Sequence, residues 1–561
     1  MAFLSGSDSG LNSLGPLLDP GVTSIDQPTK LPDRSSKTLS RAVALHLEGK
    51  REAAARTLSR AIEAGEHDPA LYAALGHVQF ELRDFEHAAA NYRALLELDP
   101  AHRTAQYNLG VCLGNAQQWK LASDAFRQSL AADATRVDAH LGLGIALIRA
   151  GSPAQAQESL DKYLFLFPDH EPAMFARAVA LQQLGRHGEA VEQYRKVLAR
   201  NPRSEEALSN LVALFLDRRD GESVRRYAAM LAELRPGSSV ALEALATLAF
   251  ADEDYPAAAR YARELATAMP GRYENWFNLG VAHHQMGDLE SAADAYTRAA
   301  ALNPSSAPAF LNLGVIRQEL GDLPVARDCY EKSLALDPDQ PSATWNLALV
   351  LEQLNDRQRA ESLYAQVPET AFEWCDAHFR LGYLRLLRGD YRGSAEAFQA
   401  VLAKQPNWAE ACLNAGIAFA RSGDAASARQ FFTETVMLRP DSSDGVRGLA
   451  ALALEQNEYE EALELHERLI EMGERSAEVF YNAGLICQKR GQFAEAVSFY
   501  QQAIDTDPQF AEALLNMGHA QMALGAEDQA LVSWRRAIKE KPSLADSYFE
   551  PVAPPRPPEH P

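Results

Sequence analysis

Apolar, small and polar residues return along this chain at a fixed spacing. Asn-Leu-Gly occurs at 108–110, 278–280 and 312–314, and the separations of 170 and 34 residues stand in the ratio five to one. A 34-residue frame opened at Ser35 restarts at 69, 103, 137, 171, 205, 239, 273, 307, 341, 375, 409, 443, 477 and 511. It closes at Leu544, giving fifteen frames without an insertion or deletion. Position 20 is Ala in thirteen frames, with the small residues Val224 and Ser394 in the other two. Position 8 is Gly in nine frames, Ala in five and Val212 in one; position 32 is Pro in eleven, from Pro100 to Pro542. Position 24 is usually large, as at Tyr92, Phe126, Tyr194, Tyr296, Phe398, Tyr500 and Trp534.

This pattern predicts a helical hairpin per frame. At 100° per residue, positions 4, 7, 8 and 11 share one helix face; they carry sets such as Trp276, Leu279, Gly280 and Phe310, Leu313, Gly314. A small residue at position 8 lets a second helix come close, and the Ala of position 20 is expected to meet it. Position 15 is Gly in nine frames and Asn at 355 and 457, residues that tolerate a left-handed helix end. Asp288, Asp322, Asp390 and Asp424 follow directly and are placed to cap the second helix. Pro at position 32 stops that helix. A single hairpin cannot bury its apolar stripe, so the frames must stack.

The large–x–x–Leu–Gly start, the mid-frame Ala, the aromatic four residues later and the terminal Pro together resemble the tetratricopeptide repeat. Segments Tyr273–Pro304 and Ala307–Pro338 carry the pattern almost without fault, and the resemblance covers about nine-tenths of the chain. It implies an all-α, right-handed superhelical solenoid of about fifteen hairpins, spanning 35–544, whose first helices line a concave groove. Departures fall at 35–68, which lacks the apolar start, at Val212 and Val224, at Ala246 and Ala249, and at Phe372 and Glu474, which replace the terminal Pro.

Composition narrows the function classes. A net charge of −22, from 54 basic and 76 acidic residues, repels phosphate backbones and anionic lipid surfaces, so neither nucleic acid nor membrane insertion is expected. No stretch approaches 18 uncharged apolar residues. The first basic residue is Lys30, which fits no secretory or transit peptide and points to the cytoplasm. Cys112, Cys329, Cys375, Cys412 and Cys487 are odd in number and never closer than 37 residues, so they read as isolated thiols. Phosphate-binding Gly-rich loops, His-Glu-x-x-His and Gly-x-Ser-x-Gly are absent, and His283-His284 point about 100° apart on a helix. With 510 residues in repeats, no catalytic domain fits; neither catalytic residues, nor cofactor, nor metal is expected.

Attention therefore falls on the face opposite the packing stripe, positions 2, 5, 6, 9, 12 and 13. Position 6 is Asn at 108, 210, 278, 312, 346, 414, 482 and 516. Asn is a mediocre helix former whose amide both donates and accepts, which suits an extended peptide backbone. In arrays similar to O-linked N-acetylglucosamine transferase, inner asparagines of this kind grip substrate peptides; that resemblance makes Asn108, Asn210, Asn278, Asn312, Asn346, Asn414, Asn482 and Asn516 candidate contacts. The competing reading is a bond to the adjacent helix, or inheritance by repeat duplication. Position 5 is aromatic at Tyr107, Phe175, Phe277, Trp345, Phe379 and Tyr481, offering either side-chain pockets or burial against a neighbour. Position 2 is acidic in eight frames, which suits a helix N-terminus and also favours basic or neutral partners.

Residues 1–34 read as a flexible leader and 545–561, with six prolines, as a Pro-rich tail. The last repeat exposes Leu514, Met517 and Trp534 unless its own tail or a second copy covers them, so self-association through this end is one expectation. The leading function is a non-enzymatic scaffold or adaptor binding extended peptides or partner helices. The alternatives are a substrate-recruiting subunit for a separately encoded enzyme, such as a protein glycosyltransferase, and an envelope or secretion-assembly factor.

Overall fold

The computed structural model describes residues 36–547; the expected leader and residues 548–561 of the expected tail lie outside them. Every element among the described residues is helical. The chain divides into two units, 1–304 and 305–561. Among the described residues, the first holds eight helical hairpins, from Ser36–Leu47 with Arg51–Glu63 to Tyr273–Gln285 with Leu289–Leu302. The second holds seven, from Ala307–Glu319 with Leu323–Leu336 to Ala511–Ala523 with Glu527–Glu540, followed by a 3-10 turn at Pro542–Ser547. Within each unit a second helix packs on its own first helix and on the first helix of the next hairpin.

The turn inside each hairpin is the same local device. Position 15 has a positive φ in all fifteen hairpins. Its N–H and that of position 16 close the first helix: Gly321 donates to the Gln318 carbonyl at 3.0 Å and Asp322 to that of Arg317 at 2.8 Å. The next residue then opens the second helix. Asp424 donates its N–H to the Phe419 carbonyl, while its carboxylate accepts from the N–H and hydroxyl of Ser427 at 3.1 and 2.7 Å. Asp288 and Asp390 cap in the same way, as do Asp84, Asp220, Asp254 and Asp356. Asp322, expected to cap, makes no such bond, and its helix begins Leu323-Pro324. Four position-15 residues, Arg83, Gln117, Arg219 and Glu253, adopt the left-handed turn at φ +56 to +61 without being Gly or Asn. Stacking holds them there against a local cost of about 1–2 kcal/mol each.

Between hairpins the chain passes through one extended residue. Asn303 has φ −127 before Pro304, and Asp337 φ −142 before Pro338, as expected where the proline ring excludes the helical conformation of the preceding residue. Asp133 adopts φ −145 without a following proline, because its carboxylate accepts from the Thr135 N–H and hydroxyl at 3.0 and 2.6 Å. At 341–374 an early proline, Pro368, confines the second helix to the eight residues Arg357–Tyr364. Val367 fills the core beyond it, and Phe372 is 96% exposed.

Packing inside a hairpin departs from the expected Gly–Ala contact. All thirteen alanines at position 20 are fully buried. The atoms lying over the position-8 glycine, however, are the ring of position 24. A Cβ added at Gly110, Gly280 or Gly314 would lie 2.8, 2.8 and 2.6 Å from the rings of Phe126, Tyr296 and Tyr330. The missing side chain is what seats the aromatic. Four of the position-24 tyrosines reach back to position 12 with the hydroxyl: Tyr194, Tyr330 and Tyr500 donate to Gln182, Gln318 and Gln488 at 2.8 Å, and Tyr364 donates to Glu352 at 2.6 Å. Burial pushes the Tyr500 hydroxyl far above its ordinary range, so it stays a donor. At the last described hairpin, Leu544 of the 3-10 turn joins Leu514, Met517 and Trp534 in one buried cluster.

Three outcomes follow for local stability, each readable as amide hydrogen exchange in one hairpin. Gly314→Ala forces its Cβ into the buried Tyr330 ring and destabilises Ala307–Leu336 by about 1–3 kcal/mol. Glu253→Gly relieves a left-handed non-glycine and slows exchange around Ser239–Ala268, a net gain of about 0.5–1 kcal/mol once glycine's extra chain entropy is counted. Gln488→Leu strands the buried Tyr500 hydroxyl and costs about 1–3 kcal/mol in Phe493–Thr506, a cost that Tyr500→Phe in the same chain largely removes.

Candidate peptide-binding face

The face built from positions 2, 5, 6, 9, 12 and 13 of each first helix is not uniform. Asn108, Asn210, Asn278 and Asn516 are at most 3% exposed, whereas Asn312, Asn346, Asn414 and Asn482 are half-buried. Asn516 bonds between hairpins: its Nδ2 donates to the Tyr481 hydroxyl at 3.0 Å in a buried setting. Nδ2 of Asn278 and Oδ1 of Asn482 are covered by protein yet have no hydrogen-bond partner.

The position-5 aromatics share one placement. Tyr107, Phe277, Trp345, Phe379 and Tyr481 each lie against the position-24 ring of their own hairpin, with centroids 5.5–5.9 Å apart. Phe175 lies on Tyr194 in the same way at 5.6 Å. Tyr107, Phe175 and Tyr481 are buried; Phe277, Trp345 and Phe379 keep part of their surface open. In the second unit, Asn312 on the first hairpin is followed by a series of accessible groups on later ones. Trp345 and Asn346 come first, with the Arg380 guanidinium 5.9 Å from the Trp345 centroid and bonded to Glu352 at 3.1 Å. Phe379 follows, stacked on Trp408 at 4.6 Å and 13°; Asn414 and Asn482 lie on later hairpins. The arrangement offers flat apolar faces, amides and a guanidinium to a ligand lying along it.

Electrostatics modify the position-2 row. Glu410 is bonded to Arg439 and Glu512 to Lys541 at 2.7 Å, both within their own hairpins, and Glu274 lies 3.8 Å from Arg272. These carboxylates are partly neutralised before any partner arrives. Position 12, counted with this face, is in part committed inward by the Tyr–Gln bonds. That pairing was readable as a Tyr twelve residues after a Gln, as at 182 and 194, 318 and 330, or 488 and 500.

The five cysteines are free, and all but Cys375 are buried. Burial pushes the Cys112 thiol up to about 12 and those of Cys412 and Cys487 up to about 11, so they stay protonated and unreactive at neutral pH. No helix among the described residues is long and apolar enough to cross a membrane.

Comparison with known proteins bears on the same segments. One tetratricopeptide repeat model matches residues 73–136, 113–171, 141–205, 175–239, 311–372 and 379–444. Related models match 273–306, 419–480 and 484–525. Among curated proteins, the tetratricopeptide repeat-containing protein trd-1 of Caenorhabditis elegans is 26% identical over 150 residues, 26% of this chain and 19% of that protein. The uncharacterized protein y4yS of Sinorhizobium fredii is 38% identical over 87 residues, 16% of this chain and 48% of its own. The chain thus spans less than half the length of these relatives. Among solved structures, YrrB, a tetratricopeptide protein with an unusual peptide-binding site, is 25% identical over 34% of this chain and 98% of its own, with a TM-score of 0.30. The Naa15/Naa10 complex bound to HypK aligns over 92% of this chain and 84% of its own at 16% identity and a TM-score of 0.31. With one repeat model alone accounting for more than half of its residues, the chain belongs to the tetratricopeptide repeat family.

Proposed function

We propose that the chain is a non-enzymatic protein-interaction scaffold that holds an extended peptide on the first-helix face of its second unit. Tetratricopeptide repeats are in general non-catalytic modules for protein association. The observation carrying the finer reading is the row of half-buried asparagines interleaved with open aromatics. Their amides both donate to and accept from an extended backbone. The open faces of Trp345 and Phe379 supply apolar contact beside the amides. Many shallow contacts along a pre-formed surface give affinity with little ordering cost on the scaffold side. The unpaired part of the position-2 row favours neutral or basic peptides over acidic ones.

Selection of random peptides on the whole chain, followed by anisotropy titration, tests this. The variant Asn346→Ala/Asn414→Ala/Asn482→Ala should bind the selected peptides about ten- to two-thousandfold more weakly, at about 0.5–1.5 kcal/mol per lost bond, with unchanged helicity. Asn278 and Asn516 are left out because their burial would mix binding with stability. Equal binding by the variant, or no enrichment on the wild type, overturns the proposal.

A further inference from the structure

The first helices of the first two hairpins, Ser36–Leu47 and Pro69–Glu81, bring two imidazoles and a carboxylate together. His77 and Glu81 are one turn apart on the second of these helices, and His46 faces them from the first. His46 Nε2 lies 2.7 Å from Glu81 Oε2, and His77 Nε2 lies 3.4 Å from Glu81 Oε1. The three candidate ligand atoms all lie within 4.8 Å of one another. Their side chains are 26%, 14% and 28% exposed, sheltered but reachable from solvent. Arg51, at the start of the second helix of the first hairpin, donates its Nε to Glu81 Oε2 at 2.7 Å.

The hydrogen-bond inventory of this cluster is incomplete. Glu81 Oε2 is satisfied by Arg51 and His46, but Oε1 has only the long contact to His77. His77 Nδ1 is buried with no partner.

We infer that His46, His77 and Glu81 form a binding site for a borderline divalent cation of the Zn²⁺ type that fastens the first hairpin to the second. Two imidazoles and one carboxylate are a donor set such ions accept, with a further position left to water, whereas Ca²⁺ and Mg²⁺ demand mainly oxygen. Donor atoms this close reach ligand distances by side-chain rotation alone. Arg51 stays on Oε2 and orients the carboxylate from outside the ion's own shell. A cation here has a structural use. Among the described residues, Leu39 and Ala42 are the only buried apolar side chains of the helix Ser36–Leu47, so few apolar contacts tie it down. Scanning for ligands at close sequence spacing misses the set, because 31 residues separate His46 from His77.

The test uses the full chain stripped of metal with a chelator and then titrated with Zn²⁺ by calorimetry, with Co²⁺ as a spectroscopic substitute. One equivalent should bind, and exchange of the amides in Ser36–Glu63 should slow when Zn²⁺ is added. His77→Gln and Glu81→Gln, compared with wild type at equal helicity, should each weaken that equivalent at least tenfold and abolish the added protection. Absence of a one-equivalent uptake by the wild type overturns the inference. Uptake that the variants leave unchanged, and binding without protection of the first hairpin, overturn it as well.

Discussion

A buried ring resting on a residue that has no side chain sets the geometry of each typical hairpin. The aromatic at position 24 fills the space above the position-8 glycine at distances that leave no room for even one more methyl group. That contact fixes how near the two helices stand, and the fully buried alanine at position 20 fits only because they stand so near. Apolar burial supplies the stabilisation, but close packing gives the hairpin a single spacing. The same ring carries its hydroxyl to position 12 and supports the position-5 aromatic from beneath, so the outward face is ordered from within.

The surface that meets a partner is therefore largely a by-product of packing. Trp345 and Phe379 present open faces because their other sides lie on Tyr364 and Phe398. Conformational freedom is removed during folding instead of during binding, which makes a shallow face useful. The asparagines divide along the same line. Asn516 is drawn into the stack by the Tyr481 hydroxyl, while Asn346 and Asn414, half-buried, remain accessible.

Much of the fold was legible in the sequence because the period is unbroken. Small, aromatic and proline positions named the helices, and the glycines at position 15 named the turns. What escaped was set by neighbours in space. Arg83, Gln117, Arg219 and Glu253 adopt the glycine conformation because the hairpins on either side demand it. Pro368 shortens a helix from inside a frame whose other positions look regular. In the candidate site, residue type was legible but exposure was not: identical asparagines at one frame position differ in burial with the side chains of the adjoining hairpins. The His46–His77–Glu81 cluster was invisible for the same reason, being assembled across two hairpins.

The left-handed turns that carry neither glycine nor asparagine come in adjacent pairs, at Arg83 and Gln117 and again at Arg219 and Glu253. In a stack where each hairpin touches only its neighbours, strain cannot be shared over distance. Two consecutive strained hairpins make a local weak link, and the second pair coincides with Val212 and Val224, where valine replaces the usual glycine or alanine. Within the first unit, the local backbone cost of folding is thus concentrated in the hairpins of 69–136 and 205–272, where the stack on either side must supply what the turn residue does not.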